Sequence, residues 1–380
     1  MVPKPAYPAP QRPPNVWNLS KLQTHAQTAV YVELYTIPLY LFAAYSVAPE
    51  DESGAKVVLI DVVKQEMLHL ALAGNLLCAI GGQPKLHHPE YTPTYPRQMF
   101  YQDRIDLHLW PAFNQTIETF IRVEEPFKVP DATKGAPLLS EYNSIGDFYR
   151  GLLTGLDELA NDNIFNQERL AMQFNKADKI YRDTPGIIQI GDLQTAKQAL
   201  NIIIEQGEGK ETLKNPEEDC HWQRFQKLNG VDIKHYPTVR DPQTSNFTGK
   251  LYTAMLACDA AYSYLLLSIQ EAWVSREHRA ALVKNIGPLM GEVLSPICEF
   301  LVQQPLDVPL EDDDDLGETQ KFAAPAFNYY HFKSNKLLNE LQEVVGSAQQ
   351  AYPSIPEWEG VLNATKRLFD LSDLNVAPQS

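Results

Sequence analysis

The chain has 380 residues, 44% of them hydrophobic and 21% charged, and its 32 basic against 48 acidic side chains leave a formal charge of −16. That much apolar material excludes a disordered or collagen-like chain. The acidic balance excludes nucleic acid and anionic membrane surfaces as partners, because both are bound through clustered Lys and Arg.

The opening, Met1 to Pro14, is rich in proline and has no apolar stretch of the kind a secretory signal needs, so residues 1–17 read as a Pro-rich disordered tail. Order is expected from Asn18. Apolar positions recur at helical spacing over Thr24–Tyr45, and Ser53 is placed to cap a second helix over Ala55–Ile80, stopped by Gly81, Gly82 and Pro84. The proline-broken stretch Gln83–Arg97 reads as a long ordered loop. A third helix is expected from Asp103 or Pro111 to Glu125, then a loop over Pro126–Ser140. Ser144 caps a helix Ile145–Leu159, and Asp192 caps another over Leu193–Gln206.

A short amphipathic helix, His221–Leu228, follows. Beyond Pro242 three further helical stretches are expected, Asn246–Glu271, His278–Gln303 and Thr319–Gln350, with the acidic run Glu311–Asp315 as a solvated loop between the last two. The apolar run Ala254–Ile269 is interrupted by Asp259 and several tyrosines, unlike a membrane span. Strand signals are few, so the fold class is mainly α. Cys78, Cys220, Cys258 and Cys298 share no CxxC spacing; neither a zinc ribbon nor a disulfide framework is expected, and a cytoplasmic location fits.

The informative residues are carboxylates on apolar helix faces, where a bare charge is expensive. Glu33 has Ala29, Val30, Ile37 and Tyr40 at helical offsets, and Glu66 has Leu59, Val62, Val63 and Leu70 on its face with His69 one turn on. A Glu-x-x-His pair puts an oxygen and an imidazole nitrogen on one side of a helix, the arrangement that di-iron and di-manganese bundles use. On the third helix periodicity selects Glu124 over Glu118. On the fourth, Glu205-Gln206-Gly207-Glu208 offers ExxE where the scheme wants ExxH; Glu205 is the preferred ligand, and Glu208 reads as a ligand, an acceptor orienting one, or a capping carboxylate beside a glycine turn. His221 reads as the missing imidazole or as an interfacial histidine.

The stretches ELYTIPLYLFAAYS, QEMLHLALAGNLLCAIGGQP, FIRVEEP, SIGDFY and IIIEQGEG followed by HWQRF stand in the order seen in the ferritin-like family that includes the iminophenyl-pyruvate dimer synthases of violacein and related bisindole pathways. The chain resembles that family over residues 20–305. The resemblance implies a ferritin-like four-helix bundle over 18–240 with long loops, a helical C-terminal extension over 241–380 packed on it, and a metal site at Glu33, Glu66, His69, Glu124, Glu205 and His221. No CxxCH haem motif is present, so haem is not indicated.

The reading that follows is a non-haem oxidoreductase of secondary metabolism with a carboxylate-bridged pair of metals, two irons or else manganese. Glu66 and Glu205 bridge, Glu33 and Glu124 bind terminally, and the histidines complete each ion. Catalytic roles fall to Glu66, Glu205 and Glu208. The partners are dioxygen or peroxide and a small organic, aromatic amino-acid-derived substrate, with a homo-oligomer compatible. The alternative is an iron-handling protein that turns over no organic substrate.

Overall fold

The computed structural model describes residues 9–99, 105–126, 141–208, 220–306 and 320–374. The expected loop over 127–140 and the acidic run Glu311–Asp315 lie outside the described residues, as do residues 1–8 of the expected tail. Among the described residues the chain is mainly α, with one two-stranded ladder, β1 (Arg97–Gln98) against β2 (Asp106–Leu107).

Local chemistry sets the helix ends. Asn18 accepts from Lys21 N at the start of α1 (Leu19–Ser46). Ser53 Oγ accepts from Ala55 N at the start of α2 (Ala55–Ala79), while Gly54 takes the left-handed conformation just before it, at φ 77°. Ser144 caps α4 (Ile145–Glu158), and Asp192 and Thr195 form a reciprocal capping box on α5 (Leu193–Gly207). Packing begins before Asn18: Trp17 is buried against His25, at 4.6 Å between ring centroids, and Tyr142 N donates to Gln11 O.

The bundle closes as a ring in which α1 packs on α2 and α4, α2 on α5, and α4 on α5. The expected third helix exists as α3 (Asn114–Val123), but it pairs with α6 (His221–Leu228) and flanks the bundle. Its place in the ring belongs to α4. Along α4, Gly151 and Gly155 leave room for the rings of Tyr142 and Trp17, which lie against it. The ten residues of α3 instead bury Ile117, Phe120 and Val123, with Phe120 5.3 Å from Phe225 of α6.

Helices α1 and α2 are buried on nearly all sides because a second layer covers them. That layer is α7 (Gly249–Ala272), α8 (Arg279–Pro288), a π-helical turn (Leu289–Leu294), α9 (Ser295–Leu301), α10 (Leu337–Ala351) and α11 (Glu357–Thr365). By length and composition α7 could cross a membrane, but it is mostly buried inside the fold, as a core helix is. Trp273, after α7, donates to Asn75 of α2 at 3.0 Å and occupies the space beside Gly74, where a Cβ would clash at 2.2 Å. One apolar core runs from Trp17 to Leu371.

The expected helix over Thr319–Gln350 forms only from Leu337. Residues 320–336 are irregular and extended, bridged at Phe322 to Thr238 and Pro305. Their amides are taken by side chains of α7: Asn328 N donates to Asp259 and Tyr330 N to Ser263. Ala323, Ala324, Ala326 and Phe327 are all buried, a run with no outward face for a helix to present.

Candidate metal centre

Five residues from four elements converge inside the bundle. Glu33 comes from α1, Glu66 and His69 from α2, Glu124 is the C-cap of α3, and His221 is the first residue of α6. Each is at most 4% exposed. The ligand atoms of Glu66, His69 and His221 lie within 4.8 Å of one another, a group that could hold a metal ion.

The five sort into two sets that share Glu66. Nδ1 of His69 is 3.4 Å from Glu33 Oε2 and 3.9 Å from Glu66 Oε2. Nδ1 of His221 is 2.8 Å from Glu66 Oε1 and 3.7 Å from Glu124 Oε1. One oxygen of Glu66 therefore faces each imidazole. The two rings stack with centroids 5.3 Å apart.

Neighbouring groups fix these side chains. His69 Nε2 donates to Gln206 Oε1 and His221 Nε2 to Gln65 Oε1, each at 2.9 Å, which turns both Nδ1 atoms toward the carboxylates. Thr36 donates to Glu66 Oε2 at 2.9 Å, Tyr40 to Glu124 Oε1 at 2.6 Å, and Tyr149 of α4 to Glu33 Oε1. Nδ1 of His221, though buried, makes no hydrogen bond.

The electrostatics describe a pocket short of positive charge. Burial, then the charges of Glu33 and Glu124, hold Glu66 well above the ordinary carboxylate range. For His69 burial favours the neutral ring, but the hydrogen bond to Glu33 and the charge of Glu66 outweigh it and raise its pKa. Burial also pushes Glu124 up, and there the adjacent His221 and the Tyr40 hydroxyl prevail and leave it lowered. A cation bound among them would offset the three carboxylates that the fold buries together.

Two expected residues do not join this group. Glu205 is exposed, on the outer side of the last turn of α5. Glu208 is buried but committed elsewhere: it accepts from Ser144 Oγ at 2.8 Å and Gly146 N at 2.6 Å, with Arg150 at 3.5 Å, and so ties the end of α5 to the start of α4. It is the capping carboxylate among the readings open for it, although the helix it caps is α4. The contributions of α5 to the cluster are Gln206 and Gly207, whose missing side chain leaves room for Glu124 Oε2 at 3.3 Å from a would-be Cβ. Sequence reasoning missed Gln65, Gln206, Thr36 and Tyr149 as supports. Thr36 could have been found, because it sits three residues beyond Glu33 on the same helix face.

A ferritin-like family model matches residues 26–230, more than half of the chain. The chain is 24% identical over 260 residues to the 2-imino-3-(indol-3-yl)propanoate dimerase of Chromobacterium violaceum, an alignment covering 58% of this chain and 24% of the relative. It is 22% identical over 349 residues to the dichlorochromopyrrolate synthase of Lentzea aerocolonigenes, covering 73% of this chain and 34% of the relative. The chain thus spans a quarter to a third of the length of these relatives. A crystal structure of a ferritin-like protein from Caulobacter vibrioides is similar in fold, with TM-score 0.55, 24% identity, and coverage of 75% of this chain and 96% of the other. With the ring of α1, α2, α4 and α5 around the buried cluster, the match over 26–230 makes this chain a member of the ferritin-like family.

Proposed function

We propose that the cluster holds two metal ions bridged by Glu66, one against Glu33 and His69 and the other against Glu124 and His221. The observation that carries this reading is the orientation of the two imidazoles. Each donates its Nε2–H to a glutamine oxygen, so as a neutral ring it turns a bare Nδ1 lone pair toward carboxylate oxygens. Lone pairs facing one another in a buried site repel unless a proton or a cation lies between them. Oxygen and imidazole donors suit iron, with manganese second. The four buried free thiols agree with a reducing, cytoplasmic setting.

The reaction we infer is oxidation of a small organic acid by dioxygen or peroxide, in the chemistry of secondary metabolism. When bound, such a metal pair supplies one-electron steps and activation of the oxidant. The chain's own residues do the rest. Tyr149 and Tyr40 hold Glu33 and Glu124 in place through hydrogen bonds from their hydroxyls. Gln65 and Gln206 fix the tautomers, and the near-complete burial of all five residues excludes bulk water. That the substrate is an aromatic amino-acid-derived acid is supported by the name of the Chromobacterium relative, which acts on an indolyl imino acid.

The test is oxygen consumption by iron-loaded protein with and without aromatic 2-oxo and 2-imino acids. The expected outcome is a rate that rises with one of these acids and falls in Glu66→Ala. A rate that no organic acid changes, in protein that still binds iron, would favour an iron-handling role.

A further inference from the structure

A second site lies outside the bundle interior. Where α1 and α2 meet α7 and the π-helical turn, the structure leaves a cavity of about 320 Å³ with an almost wholly apolar lining. It lies back to back with the carboxylate cluster across the α1–α2 layer: Leu34 and Met67, on its wall, are the chain neighbours of Glu33 and Glu66. It plays no part in holding metal.

The space follows from the chain. A Cβ at Gly287 or Gly291, both on the lining, would meet nothing within 4 Å, so two absent side chains on adjacent turns keep the cavity open. Just after Gly287 the helix widens to π geometry over Leu289–Leu294, a span that includes Gly291 and a rare conformation that occurs mostly at functional sites. Two thioethers, Met67 and Met290, stand on the walls; such side chains adapt their shape and favour contact with aromatic rings. Tyr262 also lines the cavity and is 2% exposed.

We propose that this cavity binds a neutral two-ring arene. The volume is about twice that of the ~150 Å³ cavity that holds benzene. Neutrality follows from the lining, where Lys64 is the one charged residue and its ammonium is paired with Asp61 at 2.8 Å. The proposal goes beyond the metal reading and stands without it.

The probe is 6-propionyl-2-(dimethylamino)naphthalene, a neutral two-ring ketone whose emission moves to the blue on leaving water, titrated into the full chain. The expected result is one saturable site with Kd on the order of 10 µM. Binding weakens at least about tenfold in Gly291→Leu, whose side chain fills the cavity. Naphthalene displaces the dye from the same site. Circular dichroism checks the fold of each variant, and Met290→Trp replaces Gly291→Leu if the latter does not fold. The absence of a saturable site, or unchanged binding in the filled variant, would overturn the proposal. Displacement by dodecanol at lower concentration than by naphthalene would overturn the arene assignment.

Discussion

Oε1 of Glu66 lies 2.8 Å from Nδ1 of His221, and the two make no hydrogen bond. Both atoms are buried, and the other ring nitrogen is already engaged by Gln65. Two acceptors at that separation are placed to share a third body rather than to bond each other. His69 Nδ1 likewise faces a carboxylate oxygen, Oε2 of Glu33 at 3.4 Å, with Gln206 in the place of Gln65.

The glutamines therefore carry a prediction. Gln206→Leu and Gln65→Leu free the Nε2–H groups of His69 and His221 without touching a carboxylate. Each is expected to weaken metal binding about 10- to 100-fold, the usual cost of losing a partner that orients a metal-bound histidine. Competition with a chelator of known affinity measures it, and Gln→Glu at either position, which keeps an acceptor oxygen, is expected to restore most of the loss.

Glu205 and Glu208 separate two models of the site. Because Glu205 is exposed, Glu205→Gln is expected to leave metal content unchanged and to alter stability by no more than about 0.5 kcal/mol. Glu208→Ala strips the acceptor from Ser144 and Gly146 N and is expected to cost about 1–3 kcal/mol in denaturant unfolding. Metal lost in Glu205→Gln would restore the arrangement in which α5 supplies a bridging carboxylate.

Asp259 gives the second layer a pH dependence. It is buried on α7, and burial raises its pKa to about 7 from the ordinary 3.8, against the lowering effect of its bonds from Thr244 and Asn328 N. An acid whose pKa is raised by folding holds its proton more tightly in the native state. Its contribution is therefore full below about pH 4 and is lost as pH rises through about 7. Asp259→Asn removes that slope. Relative to the variant, wild type is expected to lose roughly 2–3 kcal/mol between pH 5 and 8, measured by urea unfolding at each pH.

Much of this architecture is legible in the sequence wherever the signal is local. Asn18, Ser144 and Asp192 cap the helices they precede because a short polar side chain and the amides it satisfies lie within one turn. Glu33, Glu66 and Glu124 are buried as their apolar neighbours require, and Glu118 is exposed. Glu205 misled because Ile202 and Ile203 precede it. The buried stripe of α5 runs Ala196, Ala199, Leu200, Ile203, Gly207, so the next step from Ile203 is Gly207. The phase was readable, but a glycine draws no attention as a core residue. Nothing local shows that α4 rather than α3 completes the ring, or that Asp259 and Ser263 will take the amides of residues 328 and 330. Those choices are made by surfaces that meet only in the folded chain.

The most direct test of the central claim is the metal content of the 380-residue chain expressed in iron-replete medium and purified without chelators, measured by elemental analysis beside Glu66→Ala and His221→Ala. The account predicts about two ions per wild-type chain. His221→Ala should lose one of them, because the Glu33–His69 set remains, and Glu66→Ala should lose both, because the bridge belongs to each. Wild type purified with no metal, or Glu66→Ala retaining the wild-type content, would contradict it.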